Sequence, residues 1–475
     1  MFIRKEFERE VYKDILRWKE TQDTALLLSG PRQVGKTFLL RKLGREEFKH
    51  CVYINLTKKK DRDRFEQACD EINIITRGWS SMEDFPWFRV LKLYDSIYED
   101  SGDTLVIIDE IQQSSLMFER IRELRRSLHS RITLTGSYLG RIRNPDDFWY
   151  SAGDITEIEM SALSYVEFLK ANDLHKQYSE ISSYDLTKLT VVEKGIYNEI
   201  ERIYDVYLMI GGYPDVVHEW LRTKNIDQCR YMVEQIINAF YRESSEYFTE
   251  NMSKFLWDKT MRMVITSIVS RITDLDVRLS KNEPVDDYKP ETGVIRDENS
   301  LMVRRKDRVS ALRWLSDCLL IGEAGIYEDM EKLIESARKL RFFVMDPGVL
   351  SVMGSWIPNL REDDLKGIAA ENFVYLYLRT QLGGLFRGRV VMSYMHPTAK
   401  AEIDFVMMLK DKSLIGIEVK SFKGGVKSGE RALKKGYIKK LIKLQDTFGS
   451  IEGDRATIPI FAVDKMNGFF LTGDS

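Results

Sequence analysis

The string GPRQVGKT at residues 30–37 sets two glycines, a lysine and a hydroxyl at the spacing that holds a triphosphate. Gly30 and Gly35 let the backbone wrap phosphate oxygens with its N–H groups, and the N-terminus of a following helix adds favourable partial charge. Lys36 then reaches the β- and γ-phosphates, and the Thr37 hydroxyl is a ligand for Mg²⁺. The string follows the apolar run Ala25–Ser29 and opens a helix over 37–43, the setting this chemistry needs. ATP with Mg²⁺ is the cofactor implied. A second part is TLVIIDEIQ at 104–112, a buried strand that delivers carboxylates at its end. Asp109 would hold Mg²⁺, and Glu110 would orient the attacking water. Alone, an acidic pair after an apolar strand means little; after a P-loop it gains meaning.

A second constellation lies in AEIDFVMMLKDKSLIGIEVKSF at 401–422. A hairpin centred on Asp411 sets Asp404 opposite Glu418 and Glu402 opposite Lys420, on one face of the sheet. Like charges gathered in a core are costly unless a cation joins them. A divalent ion on Asp404, Glu418 and the Val419 carbonyl would meet that cost, and Mg²⁺ or Mn²⁺ suits an all-oxygen site. Lys420 would then position water for attack on a phosphodiester. Glu371 sits on an apolar helical face and wants a partner, for which the metal site is a candidate. The plainer alternative is a Glu402–Lys420 ion pair, with Glu371 paired to a nearby cation. A one-residue slip in register would separate Asp404 from Glu418.

The elements that must position these residues alternate through the first part of the chain. Strands are expected at Ala25–Ser29, 52–56, Thr104–Asp109, 131–135 and Ile155–Glu159, with helices between them, which makes a mostly parallel α/β sheet. Residues 164–250 read as a helical lid broken by GGYP at 211–214. Another helix is expected over 255–279. A polar insert over 281–305 follows, then a short helix over 307–318 and two strands at 320–327 and 341–344, a pattern that fits a winged helix or a helical connector with a hairpin. The last part reads helix, three strands, helix, strand. The expected domains are 1–163, 164–250, 251–350 and 351–475.

The 475 residues, 43% hydrophobic and 31% charged, suit several soluble domains. No apolar run is long enough to span a membrane, and the charged N-terminus does not read as a signal peptide. Four scattered cysteines argue against a zinc or disulfide framework and favour a reducing cytoplasm. The net charge of −2 advertises no nucleic-acid field, but residues 410–443 hold eleven Lys/Arg against three Asp/Glu. Tyr437, Ile438, Leu441 and Leu444 suggest an amphipathic helix there, with lysines on its other faces. That basic surface makes DNA the expected partner, although a charge run is commonly a solvated face.

Taken together, the chain resembles a bacterial and archaeal family of AAA/STAND-type P-loop ATPases carrying a C-terminal PD-(D/E)XK, restriction-endonuclease-like domain. GPRQVGKT, IIDEIQ, LTGS at 134–137, LSYVEFL at 163–169, GGYPDVV at 211–217, FFVMDPGVL at 342–350, AAENFVYLYL at 369–378 and the 402–422 segment carry the likeness. The resemblance implies Ser137 as a γ-phosphate sensor, Arg141 or Arg143 as a charge-stabilising arginine, and Pro214 lying against the nucleotide. The other reading of GGYP is a rigid interhelical turn. The resemblance also implies a nuclease-type site at Glu371, Asp404, Glu418 and Lys420. AAA relatives commonly form rings whereas STAND relatives are often monomers until activated, so a homo-oligomer is allowed. The same fold is also used for binding alone, so the rival function is a nucleotide-dependent module that recognises nucleic acid or a protein without cutting.

Overall fold

A computed structural model describes residues 5–75, 86–113, 121–136, 153–183, 191–248, 260–262, 264–266, 268, 305–327, 339–358, 360–385, 392–395, 402–409, 412–420, 427–446 and 449–466. The chain divides into two compact units. One comprises Glu6–Leu163 with Asp317–Leu319, and the other comprises chiefly Ser164–Ser316 and Leu320–Ser475.

The first unit is an α/β layer structure. Its strands are β1 (Ala25–Ser29), β2 (His50–Asn55), β3 (Thr104–Asp109), β4 (Arg131–Gly136) and β5 (Ile155–Glu159). They form one parallel sheet in the order β2-β3-β4-β1-β5. Runs such as ALLLS and TLVIID bury every residue, because helices cover both faces of such a sheet. Val52, Ile54, Val106 and Ile108 pack with Phe65, Trp87 and Leu91 from the helices Lys59–Ile75 and Trp87–Tyr94. The phosphate-loop strand β1 lies inside the sheet, so both of its edges are held by neighbours.

The second unit joins helices to a mixed sheet. Strands β6 (Ile321–Tyr327), β7 (Lys339–Val344), β8 (Met392–Met395), β9 (Glu402–Met408), β10 (Leu414–Lys420), β11 (Lys440–Gln445), β12 (Ser450–Glu452) and β13 (Arg455–Pro459) run in the order β12-β13-β11-β10-β9-β8-β6-β7. This corrects two expectations. The hairpin β6–β7 is not the wing of a separate winged helix, since β6 pairs in parallel with β8 and continues the C-terminal sheet. Its burial is nearly continuous, as befits an internal strand rather than a wing with one wet face. The expected boundary at 350/351 therefore falls after two strands of that sheet. Second, Ile438–Leu444 is not an amphipathic helix. The helix Lys427–Lys434 stops near Gly436, which has φ +72°, and the next segment is β11 between β10 and β13. A short apolar run such as Leu441-Ile442 carries too few turns for periodicity to separate helix from strand. The expected helix over 255–279 and the insert over 281–305 lie almost entirely outside the described residues. Among the described residues no helix is long and apolar enough to cross a membrane.

The helix Val191–Ile210 ends at Gly211, which has φ +72°, and Pro214 opens the next helix, Pro214–Thr223. Glycine after a helix and proline at its first position are what an abrupt interhelical turn requires. Phe373 meets Tyr165, Tyr204 and Tyr207 edge to face, joining the helix Val191–Ile210 to the helix Glu362–Leu385. A clasp then locks the turn. Asp346 caps the helix Pro347–Ser355 by accepting from Val349 N at 3.0 Å, and its other oxygen accepts from Gly212 N at 2.8 Å. A Cβ at Gly211 would fall 2.1 Å from Asp346 Oδ1, and one at Gly348 would fall 2.3 Å from the Ile210 carbonyl. Both glycines are thus needed for close approach.

Asp346 is buried, and burial pushes its carboxyl up to about 6 although Gly212, Val349 and Gly348 N–H groups pull the other way. The folded pKa exceeds the unfolded one, so this group favours folding most below about pH 4 and loses that contribution as pH rises through about 6. Relative to Asp346→Asn, wild-type protein should lose about 3 kcal/mol between those limits. Parallel urea titrations across that pH range measure the difference; two curves that keep a constant separation would count against the buried ionisation.

Candidate functional site

The phosphate loop is built by close approach. Gly30 has φ +147°, and a Cβ there would lie 2.1 Å from the Met160 carbonyl at the end of β5. Gly35 has φ +99° and precedes the helix Lys36–Glu47. Lys36 is buried, and its ammonium donates to the Gly30 carbonyl at 2.8 Å and the Pro31 carbonyl at 2.7 Å. A cation is thereby held over the loop at the helix N-terminus, where anions are favoured.

Asp109 ends β3 next to this loop. One of its oxygens accepts from Thr37 Oγ1 at 3.0 Å, Tyr53 Oη at 2.5 Å and Asn55 Nδ2 at 3.3 Å. Its other oxygen, Oδ1, is buried with no hydrogen-bond partner. A fully buried carboxylate oxygen left bare is costly. Divalent-cation coordination is the chemistry that suits it, with the Thr37 hydroxyl alongside. The residues present therefore fit Mg²⁺. Burial first, and then the hydrogen bond to Asp109, pushes the Tyr53 phenol up to about 12, so Tyr53 stays a donor to this carboxylate. Glu110 follows with φ +58°, a conformation side chains seldom adopt, and its carboxylate accepts from the Gln112 side-chain amide. The expected sensor Ser137 and both candidate arginines, Arg141 and Arg143, lie outside the described residues.

Three positioning residues escaped sequence reasoning. Tyr53 and Asn55 alternate on β2, whose register sets Asn55 beside Asp109. That register follows from strand order, which the sequence does not state. Arg9 precedes the first helix; its buried guanidinium donates to the Val34 carbonyl at 2.9 Å and the Ser161 carbonyl at 2.6 Å. It ties the phosphate loop to the end of β5.

In the second unit the expected hairpin register is present. Leu414 pairs with Met408 and Ile417 with Phe405. The next position outward sets Glu418 level with Asp404. Asp404 Oδ2 accepts from Val419 N at 2.7 Å, and Lys420 Nζ lies 3.5 Å from Asp404 Oδ2 and 3.4 Å from Glu418 Oε2. Glu418 Oε1 accepts from Gly429 N at 2.7 Å, at the start of the helix Lys427–Lys434. Gly429 is required there, because a Cβ would meet Leu441 at 2.5 Å and Glu418 at 2.7 Å. Burial and the Asp404 charge raise the Glu418 pKa, while the Gly429 N–H and Lys420 oppose the rise. Burial lowers that of Lys420, but Asp404 and Glu418 outweigh it, so the ammonium is retained.

Glu371 does not join this group. Its carboxylate is ion-paired with Arg341, whose other terminal nitrogen lies 3.5 Å from Glu402. Among the described residues no three acidic, histidine or cysteine side chains gather as a metal centre. The expected three-carboxylate set is therefore corrected to two carboxylates and a lysine. Glu371 is taken by a cation that the local sequence pattern did not reveal, and Glu402 meets Arg341 rather than the Lys420 of the alternative reading. Pro214 stands in the second unit as the first residue of its helix, and its loop is held by Asp346.

Residues 22–169 match the AAA domain, and residues 366–456 match a domain of unknown function, DUF4143. No curated protein matches. Among solved structures, a STAND protein with a tetratricopeptide repeat sensor from Pyrococcus horikoshii is 13% identical over 80% of this chain and 46% of its own, with a TM-score of 0.29. This chain thus spans under half of that protein's length. The Aeropyrum pernix ORC1 protein in complex with DNA is 10% identical over 74% of this chain and 94% of its own, with a TM-score of 0.26. The Thermotoga maritima RuvB Holliday junction branch migration motor is 13% identical over 56% and 77%, with a TM-score of 0.24.

Arg9→Ala removes two charged hydrogen bonds to buried carbonyls and should cost about 3 kcal/mol of stability in the first unit. It should also weaken nucleotide binding several-fold, as read by a fluorescent ATP analogue and by thermal unfolding. Unchanged binding and unchanged melting would remove Arg9 from the support of the loop.

Proposed function

From the premise that residues 22–169 are an AAA domain of the P-loop ATPase type, we propose that ATP turnover there switches a C-terminal site that acts on DNA through Asp404, Glu418 and Lys420. Backbone N–H groups from Gly30 to Thr37 bind the triphosphate, and Lys36 exchanges the Gly30 and Pro31 carbonyls for phosphate oxygens. Thr37 and Asp109 are the residues that would hold Mg²⁺, which when bound screens the phosphate charge. Glu110 orients the attacking water, and Ser137 senses the γ-phosphate. The helical residues 164–250 act as a lid, and Pro214 carries the nucleotide state into the second unit.

The observation that carries the second half of this reading is that the Lys420 ammonium lies 3.5 Å from Asp404 and 3.4 Å from Glu418. In an apolar sheet, such a group is expensive unless it has work to do. A divalent ion, Mg²⁺ or Mn²⁺, on the two carboxylates would polarise a phosphodiester. Lys420 would position the water that attacks phosphorus; as the new phosphorus–oxygen bond forms, the bond from phosphorus to the leaving sugar oxygen breaks and the proton released by the water passes to that oxygen. Lysines of the 410–443 segment, among them the exposed Lys434, Lys435 and Lys439, supply attraction for the DNA backbone.

A second reading, a binding module that never cuts, is favoured by one observation. Lys420 and Arg341 already neutralise part of the acidic group. The experiments divide accordingly. Glu110→Gln should lower steady-state phosphate release by about 100-fold while ATP binding persists. With Mg²⁺ or Mn²⁺ and several DNA forms, wild-type protein should cut and Lys420→Ala should not. Equal cutting by both takes Lys420 out of the mechanism. Salt-sensitive DNA binding with no cutting under any metal would establish the second reading instead.

A further inference from the structure

The turn that follows β3 in the first unit holds a side chain that folding alone does not explain. Ile111–Gln113 is a short 3₁₀ turn. Ile111 is fully buried and packs in the core with Val106, Ile108 and Leu134. Gln113 N donates to the Glu110 carbonyl at 3.0 Å, so the turn closes on Glu110. Gln112 is 2% exposed, and its side-chain amide donates to the Glu110 carboxylate. Its own carbonyl oxygen, Oε1, is buried and accepts no hydrogen bond. A bare buried acceptor is costly, whereas a leucine of similar size would be buried there without that cost. Glu110 adds a second cost, a φ of +58° in the left-handed region. Two unfavourable features thus meet in one contact between an amide and a carboxylate. The contact stands beside Asp109, which bonds Thr37 of the phosphate loop and has a bare buried oxygen of its own. Ser29 Oγ, at the end of β1, is likewise buried without a partner. Bare polar atoms therefore recur at the C-terminal edge of this sheet, where ligands of such sheets bind.

We infer that Gln112 is a positioning residue for ATP hydrolysis, its amide fixing the Glu110 carboxylate in the orientation that takes up the attacking water. This rests on the proposed role of Glu110. A carboxylate on an untethered side chain samples several rotamers, and few of them line a water up with the γ-phosphate. One oxygen of Glu110 is committed to Gln112, which leaves the other to accept from the water. The amide donor is neutral and does not titrate, so the tether persists at any working pH. As the water oxygen bonds to the γ-phosphorus, its proton passes to Glu110. The bond from that phosphorus to the bridging oxygen breaks, and ADP leaves with the electron pair. Gln112 gives up and receives nothing in this step; it acts through Glu110.

The test is steady-state phosphate release by the full chain with ATP and Mg²⁺, comparing wild type with Gln112→Leu, Glu110→Gln and the double variant. Gln112→Leu should lower kcat about tenfold or more and leave KM for ATP within about twofold, because other residues hold the triphosphate. On a Glu110→Gln background, Gln112→Leu should change kcat by less than about twofold, since no carboxylate is left to position. Multiplying losses in the double variant would overturn the inference. So would a folded Gln112→Leu with wild-type kcat, whatever its Tm. Gln112→Glu gives an independent reading should the leucine variant fail to fold. Its carboxylate repels Glu110 at about pH 8, whereas at about pH 6 a proton shared between the two restores a donor. Its rate relative to wild type should therefore rise as pH falls between those values, and a constant ratio would also overturn the inference. Glu110→Gln separates the two levels of the argument. If it releases phosphate as fast as wild type, or wild type releases none, the role of Glu110 fails and that of Gln112 with it. If it is slow while Gln112→Leu is not, only the role of Gln112 falls.

Discussion

Burying a carboxylate is among the more expensive things a fold can do, and this chain does it repeatedly. The means of neutralisation differ from place to place, and they separate structural acids from chemical ones. Asp346 is held by backbone N–H groups and meets its ligands within the second unit, which makes it a fastening. Asp109 receives three side-chain donors on one oxygen and none on the other. That lopsided arrangement leaves one buried oxygen without a donor, the feature that fits a divalent ion. Asp404 and Glu418 each receive a backbone N–H and share one ammonium. They lie between the two extremes.

The fastenings in the second unit form a continuous chain of contacts. The GGYP turn is gripped by Asp346, Asp346 follows β7 by two residues, and β7 carries Arg341 to the acidic face. Asn372 and Glu371 are neighbours on one helix and bind the two ends of that strand, one to Val344 and the other to Arg341. At Val344 the edge strand has its N–H and carbonyl taken by the Asn372 amide. Rigid connection of this kind can transmit a displacement because packed elements resist gradual deformation.

Much of this arrangement was legible in the sequence, and the limits have physical causes. The five strands of the first sheet were found within a residue or two; the internal strands β1 and β3, covered on both faces, are apolar nearly throughout, which made the alternation with helices plain. The 401–422 hairpin was found because alternation and a polar turn determine a register together, so Asp404, Glu418 and Lys420 could be placed on one face in advance. Residues 438–445 were misread because a short apolar run carries no period to separate helix from strand. Arg341, Asp346 and Gly429 were not found as partners of particular carboxylates. Their contacts depend on which strands and helices become neighbours, and Arg341 is separated from Glu371 by 30 positions in the chain. Winged-helix reasoning failed for the same reason: a hairpin looks alike in sequence whether it ends in solvent or joins a larger sheet.

Charge accounting at the acidic face imposes an order of events. Glu371, Glu402, Asp404 and Glu418 contribute four negative charges when ionised, and Arg341 and Lys420 return two. The remainder equals the charge of one divalent ion. Under the proposed reading, a DNA phosphate approaching without that ion would meet net repulsion at close range, where low dielectric strengthens it. The lysines of the 410–443 segment would draw in the DNA backbone from a distance without altering the sign of the field next to Asp404 and Glu418. On that reading, cation binding precedes productive contact between a phosphodiester and Lys420.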